Sequence, residues 1–359
     1  MAFTEDKLVL GWSHRIQLSN ISLKDQLGRS MKDLRISVID RCNFRCPYCM
    51  PKQTYGESYR FLGSDKYLNF DEIDRLVRIF VDEGVRKIRL TGGEPLLRPN
   101  LFHLISKLSK IPQIEDLALT TNGYLLLEQA ESLRKSGLQR VTVSLDSTDP
   151  QVFKKMNGLQ LSLDKVLKGI DYAFQLGFKP IKLNAVVQKG INDHTVIKLI
   201  KDFIDQPISI RFIEYMDVGN LNGWDHSLVV STVELKKIIE EEFQLKFVSP
   251  AYKGEVASRY QIIGKPLEIG FVSSISQPFC RDCSRLRIST DGKLFTCLFA
   301  STGTDLRQVL REGKSDSELQ SIIKTIWHKR KDRYSEKRVA DRKTSDHGLK
   351  KIEMYQIGG

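Results

Sequence analysis

Long apolar runs are missing from this sequence. No stretch of its 359 residues approaches the roughly 20 apolar positions of a membrane-spanning helix. The start, MAFTEDKLVLGWSHRIQL, also lacks the basic segment and apolar core of a secretion signal. These absences predict a cytoplasmic protein. Histidine is scarce, its six copies standing at 14, 103, 194, 226, 328 and 347, so no imidazole is near any cysteine in sequence. Internal repeats and low-complexity linkers are absent, which excludes solenoids and tethered arrays. Cysteine is sparse too, with six residues in two groups of three and none left over. An even count implies disulfides chiefly in small secreted domains. In a large chain with no secretion signal, close cysteine spacing points to metal binding or redox chemistry.

What remains is an ordinary globular composition, 41% hydrophobic and 28% charged, enough for a full core in one large domain or two modest ones. The formal net charge of +12 favours an anionic partner without choosing among nucleic acid, membrane face and phosphorylated small molecule. Part of the excess lies in HKRKDRYSEKRVADRK, His328 to Lys343. Its interleaved acids and bases read as a solvated helix face.

Short β-branched runs alternate with longer amphipathic segments between about residues 33 and 214, the rhythm of repeated βα units. Six strands are expected: 34–39, 87–91, 116–120, 140–145, 180–187 and 208–215. FDEIDRLVRIFVDEG reads as a helix with Asp71 as its N-cap and Gly84 as its stop, and Gly137 and Gly177 look like similar stops. Six such units fit an open doubly wound sheet or an incomplete parallel barrel, and the motifs below favour an incomplete (β/α)6 TIM-like barrel. The expected division is an N-terminal extension at 1–32, the partial barrel at 33–216 and a smaller C-terminal region at 217–359. That last region holds a helix near 232–243 and short strands around the second cysteine group.

The first expected strand runs into DRCNFRCPYCMP, so Cys42, Cys46 and Cys49 form C-x3-C-x2-C in the loop that leaves it. Three thiolates on a cubane leave one iron open to another ligand. The competing reading is a zinc knuckle, which needs a fourth ligand that the neighbourhood does not offer. With an aromatic directly before its last cysteine, the motif resembles the signature of the radical S-adenosylmethionine superfamily. TGGEPLLR, Thr91 to Arg98, resembles that superfamily's glycine-rich element. The resemblance implies a 4Fe-4S cluster that reductively cleaves S-adenosylmethionine to a 5′-deoxyadenosyl radical, with Tyr48, Gly93, Ser144 and Met216 contacting that cofactor. Gly92 and Gly93 would let the backbone approach the methionyl amine, and core packing is the alternative for Met216.

Cys280, Cys283 and Cys297 form C-x2-C-x13-C, a second trio. Together with DLRISVIDRCNFRCPYCMP, LTTNG, FIEYMDVG, CRDCSRLR and a terminal Gly-Gly, it resembles the GTP 3′,8-cyclase family over nearly the whole chain. That resemblance implies a second 4Fe-4S cluster whose open iron binds guanine. It nominates Arg35, Arg89, Thr120, Lys182, Arg285 and Arg287 as GTP contacts, with Arg35, Arg285, Arg287, Gly358 and Gly359 in catalytic roles. The reaction implied is hydrogen abstraction from C3′ of GTP and closure of C3′ onto C8, the first step of molybdenum cofactor biosynthesis. A reducing electron donor and either a monomer or a homodimer are expected on the same resemblance, and a downstream cyclic pyranopterin monophosphate synthase is expected from the pathway. Ile39 departs from the family, which commonly has Thr there. The runner-up is another two-cluster radical enzyme, such as a peptide-modifying maturase. A basic nucleic-acid-binding protein with two zinc knuckles is the non-enzymatic alternative.

Overall fold

The computed structural model describes residues 23–340 and 351–358. Its strands are β1 (Asp33–Ser37), β2 (Lys87–Thr91), β3 (Asp116–Thr121), β4 (Arg140–Ser144), β5 (Lys182–Val187), β6 (Ser209–Glu214), β7 (Leu245–Val248), β8 (Ser258–Ile262), β9 (Glu268–Val272), β10 (Arg285–Ile288), β11 (Lys293–Phe295) and β12 (Thr304–Asp305). β1 to β6 are the six expected strands, paired in parallel in chain order, with helices in the connections. The partial TIM-like barrel is therefore present. Two further strands extend it: β10 pairs parallel to β1 on one edge and β9 parallel to β6 on the other. The sheet continues antiparallel through β11 and β12 on the first side and through β8 and β7 on the second. β9 went unread because a five-residue strand containing Gly270 carries little periodic signal.

Alternation fixes what each face does. Leu34, Ile36, Ile88, Leu90, Leu117, Leu119, Val141 and Val143 are buried in the main apolar core, along with helix residues such as Leu76, Phe80 and Leu104. The intervening positions are mostly polar, and they include Arg35, Arg89, Thr120, Arg140, Thr142, Lys182 and Arg211. The strands thus put their hydrophobic side chains in the shell and leave the barrel interior polar.

The first long helix spans Phe70–Asp82 and is capped by Asn69, not Asp71. The Asn69 side chain accepts from Glu72 N, and Glu72 returns a bond to Asn69 N, each at 2.8 Å. This reciprocal pair satisfies two otherwise orphaned donors. Asp71 falls in the first turn, where its charge meets the positive end of the helix. The expected stop Gly84 has φ +105°, a conformation that suits glycine. The helix expected near 232–243 spans Thr232–Glu240, with Ser231 and Glu234 forming its capping box. Among the described residues no helix is long and apolar enough to cross a membrane.

The stretch that began at His328 is not a solvated face throughout. Arg330 is 4% exposed, and the helix Tyr334–Ala340 carries Arg338 against Asp217. The helix ends at His328, and beyond it Arg338 has a buried partner whereas Arg333 stays exposed beside Glu336, so the charge pattern along the sequence misjudged Arg330 and Arg338. Gly359 and the segment from Asp341 onward to residue 350 lie outside the described residues.

Candidate active site

One cavity of about 450 Å³ collects both cysteine groups and the polar lumen. Cys42, Cys46 and Cys49 enter it from the loop after β1, and Cys280, Cys283 and Cys297 from the segments around β10 and β11. Among the described residues no three His, Cys, Asp or Glu side chains are grouped so as to hold a single metal ion. In a cubane, by contrast, each thiolate binds its own iron.

The donor set suits such a group. Burial drives the thiol of Cys42 up to about 12, with Glu94 adding to the effect. Burial also raises Cys46 and Cys49, and the neighbouring thiols reinforce it. Three such thiols become thiolates together only when a cationic centre is shared among them, and coordination to a metal does this outright. Donors to sulfur are in place: Phe44 N lies 3.3 Å from Cys42 Sγ, and Asn122 Nδ2 lies 3.8 Å from it. In the second group burial is opposed by the charges of Arg285 and Arg330, which bring Cys283 down to about 6. Burial leaves Cys297 raised to about 11.

The glycine-rich element has a structural duty. Gly93 N donates to Ile39 O and Glu94 N to Arg41 O, both at 2.8 Å. A side chain on Gly93 would collide with the Arg41 carbonyl, and one on Gly92 with that of Ile39. The two glycines therefore dock the end of β2 onto the cysteine loop. Glu94, which the sequence reading did not single out, is 1% exposed. It accepts from Thr121 Oγ1, Asn122 N and Leu96 N, yet burial still raises its carboxyl to about 7.

Tyr48, Ser144 and Met216 all line the cavity. Tyr48 Oη donates to Asp146 Oδ2 at 2.8 Å. Asp146 also accepts from Val186 N, and burial lifts it to about 6. Asp146 was missed because the resemblance nominated Ser144, at the end of the same strand, and stopped there.

The nominated cations converge. Arg287, Arg35 and Arg89 are register partners across β10, β1 and β2, and Thr120, Thr142 and Lys182 form a second row across β3, β4 and β5. Burial and its arginine neighbours lower Arg35 well below the usual range. Burial brings Arg287 to about 9 and Arg89 to about 10, with further cations adding to both. Lys182 falls to about 6 from burial together with Arg211, Arg140 and Arg89. Arg285 is raised overall, because Cys283 offsets its burial. Buried cations that repel one another this strongly call for an anion. Among the described residues Thr120 Oγ1, Arg211 Nε and Arg140 Nη1 are buried without a hydrogen-bond partner. Arg211 escaped the sequence reading although it interrupts an apolar strand just as Arg35 does, and Arg140 escaped it because it opens its strand.

Gly358 also reaches this place. Arg287 Nη1 donates to the carbonyls of Ile357 and Gly358, and a side chain at 358 would collide with Thr91.

Residues 36–203 match the Radical SAM superfamily, and residues 208–336 match the family Molybdenum Cofactor Synthesis C. The GTP 3′,8-cyclase of Staphylococcus carnosus is 46% identical over 338 residues, which is 94% of this chain and 99% of that protein. The chain belongs to the GTP 3′,8-cyclase family. The Staphylococcus aureus member of the family gives the same identity and coverage. Streptococcus suis SuiB bound to its precursor peptide SuiA shares the fold, with a TM-score of 0.58 at 17% identity over 91% of this chain and 70% of that one. SuiB bound to S-adenosylmethionine gives 0.55 at 17% identity, over 81% and 68%. Family membership removes the nucleic-acid-binding reading and ranks the cyclase above the maturase, since the SuiB likeness is one of fold.

Proposed function

We propose that this chain converts GTP to (8S)-3′,8-cyclo-7,8-dihydroguanosine 5′-triphosphate, the first step of molybdenum cofactor biosynthesis. Cys42, Cys46 and Cys49 would hold one 4Fe-4S cluster, and Cys280, Cys283 and Cys297 the other. With S-adenosylmethionine bound, the first supplies the 5′-deoxyadenosyl radical that takes hydrogen from C3′ of GTP. The observation that carries this reading is a single cavity lined by both cysteine trios and by the row Arg287, Arg35, Arg89.

The residues divide the work by position. Tyr48, Gly93, Ser144 and Met216 hold the sulfonium cofactor beside the first trio. Arg35, Arg89, Thr120, Lys182, Arg285 and Arg287 take the triphosphate and the ribose, and Arg211 belongs with them. Triphosphate charge relieves the repulsion among these cations, so substrate binding and orientation of C3′ are one event. Gly358 closes the site beside Arg287, where a side chain would collide with Thr91, and the role of Gly359 rests on the family resemblance alone. The region from 217 onward completes the cavity as a second unit. A cytoplasmic location, a low-potential reductase as donor and a cyclic pyranopterin monophosphate synthase as consumer fit this chemistry, and a monomer or homodimer would serve it equally.

Anaerobically reconstituted protein supplied with reductant and S-adenosylmethionine tests the proposal. 5′-Deoxyadenosine should form faster with GTP than with ATP or a peptide, and equal rates would refute the substrate assignment.

A further inference from the structure

Arg330 is the most thoroughly engaged cation near the second cysteine group. Its side chain is 1% exposed. Nη2 donates to Cys283 Sγ at 3.3 Å and Nη1 to the Cys283 carbonyl at 2.6 Å. Nε meets Asp332 Oδ2 at 3.2 Å, and Nη1 lies 3.5 Å from Asp25 Oδ2. The guanidinium also stacks 4.6 Å from the Trp327 ring centre.

A second buried arginine braces the arrangement. Arg29 pairs with Asp25 at 2.5 Å and donates to the carbonyls of Cys280 and Asp332, at 2.7 and 2.9 Å. Trp327 Nε1 donates back to Arg29 O at 3.0 Å. Residues 25–29, on which the sequence offered no motif, thus fix the guanidinium against a cysteine sulfur from behind.

The two trios differ in what approaches sulfur. Cys42 receives a neutral backbone amide and a neutral carboxamide, whereas Cys283 receives a full positive charge. Hydrogen bonds and net charge at ligand sulfurs set cluster potentials, and a cation stabilises the more negative, reduced form. Asp25 and Asp332 screen that charge in part, and Arg285 adds to it.

We propose that Arg330 is a positioning residue acting through Cys283, and that it holds the second cluster at a higher reduction potential than neutral donors would. The inference rests on the two-cluster reading. Its test is an EPR-monitored redox titration of full-length reconstituted protein, with S-adenosylmethionine added to separate the signal of the first cluster. R330Q should shift the ratio of reduced to oxidised second cluster at least tenfold toward the oxidised form, a midpoint fall of about 59 mV for one electron. R330K, which keeps the charge, should move it less than half as far, and the first cluster should not move. A second cluster retained in R330Q at an unchanged midpoint overturns the proposal. Should R330Q fail to retain its iron, D25N replaces it as the deciding variant: unscreening the guanidinium must raise the midpoint, and an unmoved midpoint is equally fatal. Failure of the two-cluster reading looks different, since the unmodified protein would then lack a second signal and its share of iron.

Discussion

Arg35 and Arg287 stand side by side in register on neighbouring parallel strands, two guanidiniums for which no carboxylate partner is present among the described ion pairs. Burial and the Arg287 charge lower the hold of Arg35 on its proton, and burial with Arg285 and Arg89 does the same to Arg287. Such an arrangement costs stability in the free protein and is useful only when an anion arrives. R287L should therefore leave the melting temperature without nucleotide unchanged or higher. Its GTP affinity should weaken about tenfold to a hundredfold, the worth of one charge-assisted hydrogen bond. Calorimetric binding and thermal melts of the reconstituted protein check both halves, and a lower melting temperature with unchanged affinity would give Arg287 a purely structural role.

Lys182 carries the pH dependence. Its folded value of about 6 lies below that of an unfolded lysine, so between these two values the unfolded chain binds more protons and stability rises with pH. The cost of its buried charge is fully present below about 6 and fades above it. A triphosphate bound as proposed would reverse the environment and draw a proton onto the amine. At pH 8, calorimetry in buffers of different ionisation enthalpy should find uptake of about one proton per GTP, and K182M should abolish it. Uptake that survives in K182M would place the titrating group elsewhere.

Much of this site was legible in local spacing. C-x3-C-x2-C and C-x2-C-x13-C declare themselves within a few residues, and Arg35, Arg89 and Lys182 stand out because a cation inside an apolar strand has no cheap structural explanation. Relationships between distant segments were not legible. Arg29 reaches the carbonyl of Asp332 across 303 positions, with no pattern at either end to announce it. Nor could β10 be known to pair with β1: RLRI is four residues long, and parallel neighbours are set by topology. Asn69 displaced Asp71 as the helix cap because both residues suit the role and only the Glu72 partnership separates them.

The cysteine trios should fail differently. C42A, C46A and C49A remove the proposed cluster ligands beside Tyr48 and the glycine-rich element, so each should abolish formation of 5′-deoxyadenosine. C280A, C283A and C297A should end GTP cyclisation while sparing some uncoupled cofactor cleavage. Product analysis by chromatography distinguishes them, and equal loss of basal cleavage in both series would contradict the division of labour.

Glu94 tests the architecture independently of turnover. E94A leaves Thr121 Oγ1, Asn122 N and Leu96 N without their buried acceptor, and unsatisfied donors of this kind together cost about 2–4 kcal/mol. Denaturant unfolding of the metal-free chain should show that loss without any involvement of cofactor. A variant as stable as the parent would mean that the ends of β2 and β3 are held by other contacts.

Tyr355 tests whether the tail must be seated. Its ring is 3% exposed and lies 5.1 Å from that of Tyr55 and 6.3 Å from that of Phe61, while its hydroxyl meets Tyr59 Oη at 2.7 Å. Glu353 supports the same segment by accepting from Asn220 N. Removing a buried aromatic ring costs about 3–5 kcal/mol, more than a segment of a few residues can absorb. The penalty should therefore appear as local release. In Y355A, hydrogen exchange at residues 351–358 should accelerate and GTP cyclisation should fall, with iron content unchanged. Y355F, which loses only the hydroxyl contact, should cost about 1 kcal/mol and retain most activity. Since Gly358 stands against Arg287 by virtue of this anchor, full cyclisation in a Y355A protein whose tail exchanges freely would separate the tail from the chemistry.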